Sequence, residues 1–279
     1  MTDILSRLFS RRLTVIATLL AVAILILAAA APIIAPYDPS EVVLAERLAG
    51  PSASHWLGTD HLGRDILSRL IYGARASVGS VAAIIACILI LGFAVGCLAG
   101  YRGGLIDATL MRFCDVFLTF PTFILAMFLI GVLGTGLTNV VIAIVLTHWA
   151  WYARLVRGFV LSLKNRDYIL AARVAGTPKL QIVLRHIVPP VFAQLVILAT
   201  LDIGHMMLHV SGLSFLGLGV TPPTAEWGVM INDARQFIWS SPGLIFYPGM
   251  MIFITVMSFN LLGDALRDAL DPTLGEKSS

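Results

Sequence analysis

The chain has 279 residues, of which hydrophobic types make up 58% and charged types only 13%. Soluble domains carry roughly a quarter charged residues, so a water-facing shell is excluded for most of this chain and its apolar mass belongs in lipid. The net charge of +3 comes without a basic block interleaved with aromatics, which excludes nucleic acid as a partner. Cys87, Cys97 and Cys114 form no C-x-x-C pair and no zinc spacing, and their odd number gives no disulfide framework. They read as small apolar packing residues.

Arg7, Arg11 and Arg12 precede the first apolar run, Leu13–Ile34. This run exceeds the roughly 7–15 residues of a signal-peptide core, and further apolar runs follow, so it reads as a retained anchor helix. A hydrocarbon layer about 30 Å thick needs roughly 20 apolar residues of helix. Val78–Tyr101, Phe117–Leu133, Leu137–Val156, Val191–Leu216 and Leu244–Gly263 also meet that length requirement, which makes six spans. Pro121 inside the third is tolerable where neighbouring helices satisfy the freed backbone groups. Gly92, Gly96 and Gly100 recur at every fourth residue of the second span, on one face, and predict a close helix contact.

Between the first two spans, residues 35–77 are too many for a simple turn. Their start is rich in proline (Pro36, Pro39, Pro51) and irregular. Asp60–Arg75 predicts an amphipathic helix lying at the interface, capped by Thr59 or Asp60, with Leu62, Ile66, Leu67, Leu70 and Ile71 on its apolar side. Asp60, His61 and Asp65 read as a cap and a solvated face rather than as a metal site. The connection between spans four and five carries Arg154, Arg157, Lys164, Arg166, Arg173, Lys179 and Arg185 against Asp167. Cytoplasmic loops carry the excess of Lys and Arg, so this loop and both termini are expected in the cytoplasm. An even number of spans agrees with that.

Within this basic loop, Asp167 to about Ala175 predicts a helix ended by Gly176, and Pro178 starts a second one. The small residues Ala171, Ala172 and Ala175 leave a surface that another protein can approach closely, the form of a helix that docks in a groove. The stretch resembles the coupling loop of ABC-importer permeases at Ala171, Ala172, Gly176, Ile187 and Pro189, with Leu170 where that family has Glu. Gly58-Thr59-Asp60-His61-Leu62-Gly63-Arg64-Asp65 and Leu213-Ser214-Phe215-Leu216-Gly217-Leu218-Gly219 are similar to the second-type permease of peptide and nickel importers. So are Pro222-Pro223, Glu226-Trp227-Gly228, and Asn260 to Asp268 closed by Asp271-Pro272. The resemblance runs from about residue 13 to 272.

The resemblance implies an all-α integral membrane fold in the bacterial inner membrane. Residues 1–34 are the N-terminus and anchor, 35–77 an outer segment, 78–265 the permease core with the coupling loop at 157–190, and 266–279 a cytoplasmic tail. It also implies a second homologous permease, two cytoplasmic ATPase subunits and an extracytoplasmic binding protein as partners. No cofactor is implied. The chain has no G-x-x-x-x-G-K-[ST] loop to cradle phosphates and no nucleophile–base pair, so it is expected to be no enzyme.

Ionisable residues inside a membrane usually line a pathway or make an interior polar contact. Asp202, His205 and His209 share one face of the fifth span, beside Met206 and Met207, and His148 lies in the fourth. Imidazole suits nickel, and the run Thr200–Val210 is more similar to nickel-importer permeases than to dipeptide ones. These residues are therefore candidates for a substrate pathway, with structural pairing of Asp202 and a metal site as alternatives; a tight metal site is not expected, because a pathway must release its cargo. The cargo expected is nickel or a nickel chelate. Di- or oligopeptide import by the same architecture, or an autonomous channel or secondary transporter, are the other readings.

Overall fold

The computed structural model describes residues 11–221 and 223–270. Arg7, Pro222, Asp271, Pro272 and the tail from 271 onward lie outside the described residues. Helix α1 spans Arg12–Ala29, and the single turn α2, Ala31–Ile34, follows it. Then come α3 (Ile66–Arg102), α4 (Gly104–Thr119), α5 (Thr122–Leu133) and α6 (Leu137–Lys164). The short α7 (Asp167–Val174) and α8 (Lys179–Ile182) lead through a π turn at Val183–Ile187 into α9 (Val188–Phe215). Helix α10 (Trp227–Ala234) and α11 (Gly243–Leu270) complete the described elements, which include no named strand. Among the described residues, five helices are long and apolar enough to cross a membrane, or six if the bent pair α4–α5 counts as one span.

Two sequence expectations need correcting. The third span is not one helix: α4 and α5 meet at 86°. Proline disfavours a helical conformation in its predecessor, and Phe120, before Pro121, is extended at φ −97° and ψ 140°. Helix α5 has 12 residues, about 18 Å of rise, too short to cross alone.

The second correction concerns Asp60–Arg75, which is not a separate interfacial helix. Residues 58–65 form a closed turn, with Asp60 N donating to Arg64 O and Ile66 N to Gly58 O. Only then does α3 begin, and it runs unbroken through the second span because no proline interrupts it. Its cap is Asp65, whose Oδ2 accepts from Ser68 N at 2.7 Å, not Thr59 or Asp60. Nor are its charges solvated: Asp60, Arg64, Asp65 and Arg69 are buried. Arg64 Nε donates to Asp60 Oδ2 at 2.7 Å, and Arg64 Nη2 lies 3.5 Å from Asp233 Oδ2. The contacts with Asp233, and Arg69 donating to the carbonyls of Pro39 and Pro223, tie the outer segment to the end of α10 and to the loop before it.

Glu226 caps α10, accepting from Val229 N at 3.0 Å and from Ser77 Oγ at 2.9 Å, and the Trp227 indole donates to Leu70 O at 3.0 Å. The glycine face of α3 packs inside this chain, against Tyr152, Ala153, Val156 and Val160 of α6. Helix α11 continues to Leu270, so residues 266–270 extend the last helix rather than leaving it as a tail.

His55 sits between two carboxylates, with Nδ1 2.9 Å from Asp65 Oδ1 and Nε2 3.0 Å from Glu46 Oε2. The Asp65 hydrogen bond holds its pKa above the ordinary 6.5, against the opposing cost of burial and with help from Glu46. A raised folded-state pKa stabilises fully below the unfolded value and is lost as pH rises through the folded one. Raising the pH from about 5.5 to 8 is therefore expected to lower the amide protection factors across residues 44–65 in the wild type, that is, exchange corrected for its base-catalysed intrinsic rate. His55→Gln should show no such change, and an identical loss of protection in that variant would contradict the assignment.

Candidate functional site

The hairpin between α6 and α9 is built around Gly176. Its φ of +79° is left-handed, a conformation that costs other residues roughly 1–2 kcal/mol. Thr177 N donates to Ala172 O and Gly176 N to Arg173 O, both at 3.0 Å, which closes α7 in a Schellman motif. Pro178 sits at the N-cap of α8, one residue earlier than the first-turn position expected. Ile169, Ile182 and Ile187 are fully buried and pin the hairpin to the bundle, each worth about 1.5–3 kcal/mol of apolar burial. The Tyr101 hydroxyl donates to Lys179 O at 3.4 Å and Lys164 Nζ to Gly100 O at 3.3 Å, holding the hairpin against the end of α3.

The five residues expected to couple do not form one surface. Ala171, Gly176 and Pro189 are exposed, Ala172 is half-buried, and Ile187 is an anchor beneath. What the hairpin presents outward is Tyr168, Leu170, Val174 (91% exposed), Leu180 and Leu184. Sequence reasoning named only Leu170 of these, as a departure. Exposed apolar side chains on a basic hairpin are the kind of surface at which proteins dock.

The intramembrane polar group lies where α6 meets α9. Asp202 is buried, and its Oδ2 accepts from the Tyr152 hydroxyl at 3.1 Å. His148 Nε2 is 3.2 Å from the same oxygen, yet off-axis for a hydrogen bond, so both His148 ring nitrogens are buried without a hydrogen-bond partner. His205 Nδ1 lies 3.8 Å from Asp202 Oδ1, with 76% of its side chain exposed. His209 is bonded at Nδ1 to His205 O at 2.8 Å and packs on Phe123 of α5. Met206 and Met207 are fully buried in the core and reach no surface of this chain.

The structure thus joins His148 to Asp202 across two helices and leaves His205 at the open edge. Tyr152 was missed, because its partner is 50 positions away and nothing local marks it. Among the described residues no three His, Cys, Asp or Glu side chains group as a metal cage.

Comparison with known proteins decides the family. Residues 92–276 match the family described as binding-protein-dependent transport system inner membrane component. The chain belongs to that family. Residues 1–51 of this inner membrane component also match the N-terminal transmembrane domain of oligopeptide transport permease C.

The nickel transport system permease protein NikC of Escherichia coli K12 is 60% identical over 86% of each chain. The metal-staphylopine import system permease protein CntC of Staphylococcus aureus is 42% identical, over 98% of this chain and 95% of its own. The dipeptide transport system permease protein DppC of Alkalihalophilus pseudofirmus is 40% identical, over 94% and 86%. A solved structure of the inward-facing MetNI methionine ABC transporter superposes with a TM-score of 0.59 at 19% identity, covering 72% of this chain and 96% of that one. That likeness concerns the fold of this transport component alone.

Proposed function

We propose that this inner membrane component forms the translocation pathway for nickel or a nickel chelate in an ATP-driven importer. The observation that carries it is the 60% identity with a nickel transport permease over 86% of both chains. His148, Asp202, His205 and His209, spread along α6 and α9, suit such a cargo, since imidazole and carboxyl groups offer a divalent ion successive contacts. Dipeptide import is the second reading, favoured by the 40% identity with a dipeptide permease. Deleting the gene for this chain is expected to cut cellular nickel in low-nickel medium several-fold, by elemental analysis, with growth on dipeptides unchanged. Loss of dipeptide growth at normal nickel content would favour the second reading.

In this proposal the bent pair α4–α5 completes six spans, and both termini and the hairpin face the cytoplasm, in line with the Lys and Arg excess there. Two ATPase subunits dock on this hairpin and on that of a second, homologous permease, while a binding protein delivers cargo at the opposite face. Closure of the ATPases is transmitted through the hairpin, whose buried isoleucines make it move with α6 and α9, and alternates access to the pathway.

A side chain at Gly176 meets nothing within 4 Å in this chain. Gly176→Ala therefore tests the backbone strain alone and is expected to leave ATPase binding within about twofold, whereas Gly176→Trp obstructs the docking surface. Co-purification of the ATPases should fall about tenfold or more in the tryptophan variant. Equal recovery in both variants would count against docking here.

A further inference from the structure

At the end of the bundle away from the hairpin lies a cavity of about 740 Å³ whose walls include none of His148, Asp202, His205 or His209. It is walled by Leu27 of α1, Leu70 and Ile71 of α3, and Met250 and Met251 of α11, with the outer segment closing one side. It opens at the surface beside Trp56, whose side chain is 72% exposed. The volume falls in the range of about 300–1,000 Å³ typical of small-molecule sites.

Water is a poor occupant. The polar groups at one end are already paired: the Tyr37 hydroxyl donates to Ser54 O at 2.8 Å, and Asp65 is engaged by His55 and Ser68. A buried water needs two to four unpaired polar partners. Leaving the space empty forfeits the dispersion contacts of every side chain that lines it. In a bilayer the apolar molecules at hand are lipid chains.

A second feature selects among lipids. Tyr37, Ser54 and Asp65 also line an adjoining cavity of about 190 Å³, whose other walls include Asp38, Glu41, Glu46 and His55. His55 pairs with Asp65 and Glu46, which leaves Asp38 and Glu41 as the carboxylates without a cationic partner among the described residues. An apolar chamber that passes directly into an acidic one matches an amphiphile with an apolar tail and a cationic head. An exposed tryptophan at the mouth suits the headgroup level of a bilayer. We propose that the larger cavity binds an acyl chain of a phospholipid with an ammonium headgroup, and that the acidic cavity receives the ammonium.

The test uses the whole transporter, assembled with its partner subunits, extracted in mild detergent and exposed to an equal mixture of phosphatidylethanolamine and phosphatidylglycerol. Lipid that survives washing is identified by native mass spectrometry. The wild type is expected to retain phosphatidylethanolamine over phosphatidylglycerol by about fivefold. Met250→Trp fills the chamber from α11, and Ala53→Trp, at an exposed position of the outer segment, fills it from the mouth. Each should lower retained lipid about fivefold in complexes that still assemble. Glu41→Lys should retain lipid but lose the preference for ethanolamine. Wild-type retention in both tryptophan variants, or no lipid retained by the wild type, would overturn the acyl site. An unchanged preference in Glu41→Lys would overturn the headgroup assignment.

Discussion

Gly96→Ile is expected to lower accumulation of the assembled transporter several-fold or more. A β-carbon at Gly96 falls 2.5 Å from Ala153 O and 2.6 Å from Val156 Cβ, and one at Gly92 falls 2.5 Å from Tyr152 Cβ. Backbone oxygens and β-carbons cannot swing aside as side-chain tips can, so α3 and α6 must separate. Overpacking of this kind costs about 1–3 kcal/mol, sometimes more, against a total stability of about 5–15 kcal/mol for a typical protein. Because Tyr152 supplies the hydroxyl bonded to Asp202, the displacement also reaches the polar group between α6 and α9. Gly79, on the same helix, meets nothing within 4 Å, so Gly79→Ala should accumulate normally. Immunoblots of membrane fractions and thermal unfolding of the purified complex measure both. Equal levels of the two variants would contradict the packing described.

Asp202→Asn should lower uptake about tenfold or more while the complex assembles normally. Asparagine keeps an acceptor for the Tyr152 hydroxyl, so the structural contact survives and only the ionisable group is lost; about 1.4 kcal/mol of lost interaction with a cation gives the tenfold. Tyr152→Phe separates the two roles. Should Asp202 act only as a structural partner, Tyr152→Phe would lower the amount of complex in proportion to uptake, while Asp202→Asn would leave both unchanged. If it serves the pathway, Asp202→Asn lowers uptake per complex. Unchanged uptake per complex in Asp202→Asn would assign the residue to packing.

The spans and the hairpin are legible in the sequence because their signals are local. Apolar length sets a span, and Gly176 followed by Pro178 sets the turn. The two errors share a cause: the deciding interaction is either too short-ranged for a hydropathy window or too far away in the chain. Pro121 is visible, but a run that stays apolar on both sides of it conceals the bend of 86°. Arg64 and Arg69 read as a wet face because Asp60 alone is local; their second carboxylate, Asp233, lies more than 160 positions on.

The candidate site divides the same way. The shared face of Asp202, His205 and His209 follows from helical spacing. That His148 and Tyr152 converge on Asp202 depends on how α6 packs on α9. Met206 is adjacent in sequence to His205 yet faces the core, since neighbouring positions on a helix point in different directions.

The most direct test is uptake of labelled nickel into vesicles that hold this chain with its partner permease, both ATPases and the binding protein. The expected result is nickel accumulation that requires ATP, persists under excess unlabelled dipeptide, and is lost with Gly176→Trp. Accumulation of dipeptide without nickel, or nickel entry that proceeds without the ATPases, would contradict it.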